Sequence, residues 1–164
     1  FSKMSLKGVK WDESDLDEMN FKSSKMGRNS FYSSKISGSQ FQKADLRKSV
    51  FQASYVEKST FKGAKLEGSD FRSANFYKIV FDKANLRKSN FMEGARFEQI
   101  SFRGADLKKS KMSPNTRMIK CDFRGADLRG INFKGVQWED CIYNKKTKFD
   151  KKFNPKKAGF IKTK

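Results

Sequence analysis

The chain has 164 residues, of which 36% are apolar and 34% are charged, and 37 Lys and Arg against 18 Asp and Glu give a net charge of +19. The length suits a single domain. No apolar run exceeds a few residues, which excludes a transmembrane helix, and the absence of histidine removes the commonest general base and metal ligand.

A large apolar residue, here called a centre, recurs at every fifth position from the first residue. Up to the first interruption the centres are Phe1, Leu6, Trp11, Leu16, Phe21, Met26, Phe31, Ile36, Phe41, Leu46, Phe51, Val56, Phe61, Leu66, Phe71, Phe76, Phe81, Leu86 and Phe91. A small residue, such as Ala44 or Ser49, usually stands two positions before the centre. A spacing of five forms an apolar stripe neither on a helix nor on one face of a strand. It therefore predicts a solenoid that turns after each short extended piece.

The most regular part runs from Ala44 to Phe91 and contains the pentapeptides ADLRK, AKLEG, SDFRS, ANFYK and ANLRK. These resemble the repeats of the pentapeptide-repeat family. The resemblance implies an all-β fold, a right-handed quadrilateral parallel β-helix in which four pentapeptides form each coil. The 29 centres then predict about seven coils with every centre buried. At roughly 4.8 Å per stacked strand, the rod would be about 35 Å long.

Two one-residue insertions, at Gly94 and at Asn115, interrupt the spacing further on. The centres that follow them are Phe97, Phe102, Leu107, Met112, Met118, Phe123, Leu128, Phe133, Trp138 and Tyr143. Because the insertions lie 21 residues apart, we expect them at the same corner of successive coils, as stacked bulges.

The sequence divides into a repeat domain, residues 1–143, and a basic tail, residues 144–164. The tail resembles the closing segment of many bacterial and cyanobacterial pentapeptide-repeat proteins, and we expect Phe149, Phe153 and Phe160 to cap the last coil. A dimer contact is the alternative. The repeat starts in register at Phe1, so an open coil end is a candidate surface for a homodimer. This start in register is also compatible with a leader that has been removed or with an upstream domain.

The remaining polar chemistry favours structure over catalysis. An Asp stands directly before several centres (Asp45, Asp70, Asp106, Asp122 and Asp127), and in this family the position is expected to bind turn backbone. Cys121 and Cys141 both occupy the small inward position one coil apart. We favour buried reduced thiols over a disulfide. No phosphate loop, nucleophile motif or zinc spacing is present.

The charge is unevenly distributed around the predicted coil. We number its sides so that Phe1 is the first centre of side one, Leu6 of side two, Trp11 of side three and Leu16 of side four. The net charges of these sides are +6, +7, 0 and −1, and the tail from Lys146 adds +7. Candidate binding residues on the basic sides are Arg47, Lys48, Arg87, Lys88, Lys108, Lys109, Arg129, Lys62, Arg103 and Arg124. Such a surface attracts polyanions.

We interpret the chain as a non-enzymatic binding or scaffold protein whose basic face meets an anionic macromolecule or surface. An acidic protein, a membrane surface and nucleic acid all remain open, as does a charged face that only confers solubility. The alternative is an accessory or targeting domain of a larger protein, including an enzyme. We expect no cofactor, no metal, no small-molecule substrate and a cytoplasmic location. Some family members imitate DNA to protect topoisomerases, but a basic rod disfavours that activity.

Overall fold

Each coil contains four centres, because the parallel backbone pairing joins Leu16 to Ile36 and Ile36 to Val56, one coil further on. The computed structural model describes residues 1–164 and contains only β-strands and turns. This confirms the predicted all-β solenoid of about seven coils.

The eleven strands are short. They are β1 (Asp15–Asp17), β2 (Lys35–Ser37), β3 (Tyr55–Glu57), β4 (Asn75–Tyr77), β5 (Asn90–Phe91), β6 (Arg96–Glu98), β7 (Lys111–Met112), β8 (Arg117–Ile119), β9 (Gln137–Glu139), β10 (Ile142–Tyr143) and β11 (Ile161–Lys162). Side four is a seven-stranded parallel sheet in the order β1-β2-β3-β4-β6-β8-β9. Strand β5 pairs with β7 on side three, and β10 pairs with β11 on side one. Single bridges connect most of the coils on sides one to three.

The corners are formed by a residue in the left-handed region, two positions after the centre. Many of these residues are lysines, including Lys48 with φ 58° and Lys88 with φ 56°. On sides one to three, the amide of the residue after this corner donates to the carbonyl of the centre, as the Ala44 amide does to the Phe41 carbonyl at 3.1 Å. The backbone therefore turns sharply after each centre while the centre stays inside.

The centres form columns of stacked side chains along the rod. Every centre from Leu16 to Leu128 is buried, as predicted. The prediction is wrong at the ends, where Phe1 is 47% exposed and four further centres are only partly buried, namely Leu6, Trp11, Phe133 and Trp138. The reason is that a terminal coil is covered by a regular coil on one side only.

The two predicted insertions lie at one corner, between sides three and four. Asn75 pairs with Arg96 and Arg96 with Arg117, each 21 residues on, and the 20-residue pairing returns between Arg117 and Gln137. The structure contains a third insertion near Asn144, since Asp127 bridges to Lys148. The sequence did not reveal this insertion, because the pattern of centres weakens there.

The tail forms a distorted final coil. The ring of Phe153 packs against that of Phe133 with centroids 4.3 Å apart, and the ring of the buried Phe160 lies 4.6 Å from that of Trp138. Strand β11 continues the ladder of β10. The apolar end of the seventh coil is thus covered by the tail, as expected of a cap.

Cys121 and Cys141 are buried free thiols. Cys141 donates to the Met118 carbonyl at 3.2 Å, the same kind of bond that Ser110 makes to the Leu86 carbonyl at 2.9 Å. Burial raises the pKa of the Cys121 thiol well above its usual range. The cysteines therefore act as serine-like packing residues inside the coil.

Candidate anion-binding face

The basic face consists of the outward side chains of sides one and two. Of the ten candidates, Arg47, Lys48, Arg87, Lys88, Lys108, Lys109 and Arg129 lie on side two, and Lys62, Arg103 and Arg124 lie on side one. All of them follow a centre by one or two positions, so they project at or beside a corner. The structure therefore brings all ten onto two adjacent sides of the rod.

The aspartates before the centres hold the turns, as the resemblance implied. The carboxylate of Asp106 accepts from the Lys108 amide at 3.0 Å, and that of Asp122 accepts from the Arg124 amide at 3.1 Å. Each such carboxylate satisfies an amide that the coil ladder leaves free.

The same aspartates neutralise most of the arginines on the face. Within one pentapeptide, Arg47 contacts Asp45 at 2.6 Å. Arg124 and Asp122 lie 2.7 Å apart, and so do Arg129 and Asp127. These guanidiniums therefore carry little charge that is available to a partner.

Three further candidates reach a carboxylate of the next coil. Arg87 lies 3.7 Å from Asp106, and Lys108 lies 3.8 Å from Asp127. Arg103 pairs with Asp122, which also binds Arg124. In all, six of the ten candidates are in ion pairs.

The other four candidates have no carboxylate partner. We call Lys48, Lys62, Lys88 and Lys109 the lysine set; all four are exposed and form no ion pair. Lys48, Lys88 and Lys109 occupy the same left-handed corner of different coils, with φ between 56° and 59°. Lys48 also leans over the glycine in the coil above, since its Cγ lies 3.7 Å from the Cβ position of Gly68. Of the ten candidates, the lysine set is therefore the part that is free to bind.

A hollow interrupts side two near the N-terminal end. Its lining has no apolar side chain and includes Lys7, Gly27, Arg28, Asp45, Arg47 and Lys48. Lys7 and Gly27 were not among the candidates from the sequence. The available signal was a glycine at the position directly after a centre, where Lys or Arg stands in five of the six other coils of side two.

Comparison with known families identifies the repeat. The model described as "Pentapeptide repeat region" matches residues 34–112, and "Pentapeptide repeats (8 copies)" matches residues 114–137. The chain belongs to the pentapeptide-repeat family. A search of curated protein sequences found no significant match.

Solved pentapeptide-repeat structures share the fold. A pentapeptide repeat protein from the Arabidopsis thaliana thylakoid lumen is 28% identical, with a TM-score of 0.57, over 60% of this chain and 68% of that one. The trypsin-treated form of QnrB1, described as a plasmid-mediated fluoroquinolone resistance protein, is 15% identical, with a TM-score of 0.66, over 90% of both chains. Pentapeptide-repeat proteins are generally structural or interaction proteins and not enzymes.

Asp122 is the most perturbed carboxylate of this pentapeptide-repeat protein. Burial raises its pKa, but the hydrogen bonds from Arg124 and Arg103 outweigh burial and lower the pKa to about 2. The carboxylate is therefore ionised at any ordinary pH, and it holds two guanidiniums in place.

The exposed tyrosines lie away from the basic face. Tyr32 is 43% exposed on side three, and Tyr55 is 41% exposed on side four. Nearby, the Lys78 ammonium lies 5.0 Å from the centre of the Tyr77 ring. No helix of the structure could cross a membrane.

Proposed function

We propose that this pentapeptide-repeat protein is a non-enzymatic binding module that presents sides one and two to an anionic macromolecule or surface. The observation that carries the proposal is the lysine set, four exposed ammonium groups without a carboxylate partner. They lie on sides with net charges of +6 and +7, while the opposite sides carry 0 and −1.

The residue types favour recognition by charge alone. Arginine binds carboxylates and phosphates through a fixed fork, but the arginines among the ten candidates are engaged with aspartates. The four unpaired groups among the ten candidates are all lysines, which act as hydrated point charges. Since the exposed tyrosines lie on other sides, and Phe1 is exposed only at the end of side one, the face has no row of aromatic rings on which unpaired bases could stack. These features support a polyanion held by its charges and not by its sequence.

At 15% identity, the similarity to QnrB1 shows a shared fold and no shared activity. We do not extend fluoroquinolone resistance to this chain. A rod that imitated DNA would need an acidic face, and here the two charged sides are basic.

The test replaces the lysine set. A variant with Lys48→Glu, Lys62→Glu, Lys88→Glu and Lys109→Glu is compared with the unchanged protein for binding to three probes, a DNA duplex, acidic phospholipid vesicles and polyglutamate. We expect the unchanged protein to bind at least one probe and the variant to bind at least about tenfold more weakly, because each exchange replaces attraction by repulsion. The probe that binds defines the class of partner.

The matched control carries the same charge change on the opposite sides. Its exchanges are Lys58→Glu, Lys78→Glu, Lys120→Glu and Lys134→Glu; the first three residues occupy left-handed corners, as three of the lysine set do. Binding to the control variant should stay close to that of the unchanged protein. Equal loss in both variants would show that only total charge matters. Failure of the unchanged protein to bind any probe would also refute the proposal.

A further inference from the structure

Gly27 is the one glycine whose presence the backbone does not explain. Ten of the eleven glycines have φ in the left-handed region, and Gly27 is the exception. Space does not require it either, because a Cβ at this position would meet only the Arg47 carbonyl oxygen, at an ordinary 3.5 Å. What the missing side chain does is open the hollow on side two.

The backbone amide of Gly27 has no hydrogen-bond acceptor. In four other coils of side two the residue before the centre accepts from this amide, as Asp45 does from Arg47 at 3.3 Å and Asn85 does from Arg87 at 3.1 Å. Before Met26 that residue is Lys25, whose side chain has no acceptor atom. The Gly27 amide thus lies on the outer surface, in the place where a turn amide of this fold normally meets a carboxylate or amide oxygen.

The hollow that Gly27 lines is also lined by four cationic side chains and by the carboxylate of Asp45. Lys7, Arg28 and Lys48 line the hollow, are exposed and have no ion-pair partner, whereas Arg47 is neutralised by Asp45. Three unpaired positive charges around one free amide suit an oxyanion with two negative charges. Arg28 adds a planar fork that matches two phosphate oxygens.

We propose that the hollow at Gly27 binds a phosphate monoester group, with the Gly27 amide and the side chains of Lys7, Arg28 and Lys48 as its ligands. The inference rests on the proposed function, because Lys48 belongs both to the lysine set and to this phosphate site. It names the chemical class of anion that one part of the basic face binds. In this view the phosphate occupies the place that the Asp45 carboxylate fills one coil further on.

The test uses inorganic phosphate and glycerol 3-phosphate at constant ionic strength, with the amide signal of Gly27 as readout. We expect a saturable shift of this signal. Gly27→Gln should weaken binding by about tenfold or more, the order of loss for charge-assisted hydrogen bonds. Glutamine already follows the centres Phe41 and Phe51 at this position, as Gln42 and Gln52, so the fold accepts it. Binding of glycerol 3-phosphate supports a monoester site, and binding of inorganic phosphate alone overturns that assignment.

A second variant closes the site without filling the hollow. Lys25→Asn supplies the missing acceptor for the Gly27 amide and should also abolish the saturable binding of phosphate, followed here by calorimetry. Lys65→Asn is the matched control, since it makes the same exchange before Leu66, where the Glu67 amide also lacks an acceptor. It should leave phosphate affinity unchanged. Equal effects of the two exchanges would overturn the site.

The two proposals can fail separately. Gly27→Gln should retain the affinity for the polyanion probe, because Lys62, Lys88 and Lys109 are untouched. Conversely, exchange of those three lysines for Glu should retain phosphate binding at Gly27. Non-saturable shifts in the unchanged protein, or equal phosphate affinity of Gly27→Gln, would overturn the phosphate site and leave the basic face standing.

Discussion

The rings of Phe41 and Phe61 lie parallel, with an interplanar angle of 1° and centroids 4.6 Å apart. They are 20 residues apart in the chain and direct neighbours in one column of the core, and both are fully buried. Each inner ring is therefore covered above and below by the same side of the adjacent coils.

Truncating an inner ring should be severely destabilising. We expect Phe61→Ala to lower the free energy of unfolding by about 3 to 5 kcal/mol, because it removes a buried ring from a column that cannot collapse around the gap. Phe71→Ala and Phe81→Ala should behave alike. Urea unfolding measures the effect. Phe1→Ala is the control and should cost less than about 1 kcal/mol, since Phe1 is 47% exposed. A loss below 1 kcal/mol at all three inner sites would contradict the stacked core.

Removal of the capping tail should cause association. A chain that ends at Lys148 lacks Phe153, which packs against Phe133, and Phe160, which covers Trp138. The exposed rings and the unpaired edge of β10 favour aggregation or end-to-end contacts. Light scattering after size-exclusion chromatography measures the mass, and a chain shortened only by Lys164 is the control. A monomer of unchanged stability would show that the tail is not a cap.

Stability should fall with acid as Asp122 is protonated. The pKa of this carboxylate is about 2 in the folded protein, below its ordinary value of 3.8. The contribution of ionised Asp122 to the free energy of unfolding is therefore complete above about pH 4 and is lost as the pH falls through 2. Because solvent screens the charges, we expect this contribution to be about 1 kcal/mol.

The variant Asp122→Asn isolates this contribution. Asparagine can still accept from the Arg124 amide, as Asn85 does from Arg87. Acid unfolding of both proteins should show a stability difference at pH 6 that disappears near pH 2. A difference of the same size at both pH values would mean that the charge of Asp122 contributes nothing.

The buried thiols should be unreactive in the folded protein. Burial raises the pKa of the Cys121 thiol, and the thiolate is the reactive species. An aromatic disulfide reagent should therefore not label Cys121 until denaturant is added, and burial of the Cys141 sulfur should keep the reagent from that thiol as well. The exchange Cys121→Ser should cost less than about 1 kcal/mol, because serine makes the same bond at Ser110. Rapid labelling under native conditions would contradict the buried position.

Much of this architecture was determined by the sequence alone. A spacing of five with one large residue per piece leaves a single register in which all centres point inward, so the burial of Phe41 or Leu86 followed directly. The insertions at Gly94 and Asn115 were visible because regular repeats flank them on both sides. The charge of each side followed from the register, since outward positions alternate predictably with inward ones.

The tertiary structure decided which of those charges are free. Arg87 pairs with Asp106 and Arg103 with Asp122, partners in neighbouring coils whose contact depends on side-chain reach and not on chain order. From the sequence, Arg47 and Lys48 were equivalent candidates, but Arg47 pairs with Asp45 and Lys48 has no ion-pair partner. The exposure of Phe1 and the free amide of Gly27 likewise depend on what the next coil and its side chains cover, because burial and hydrogen bonding are properties of the stacked coils and not of one pentapeptide.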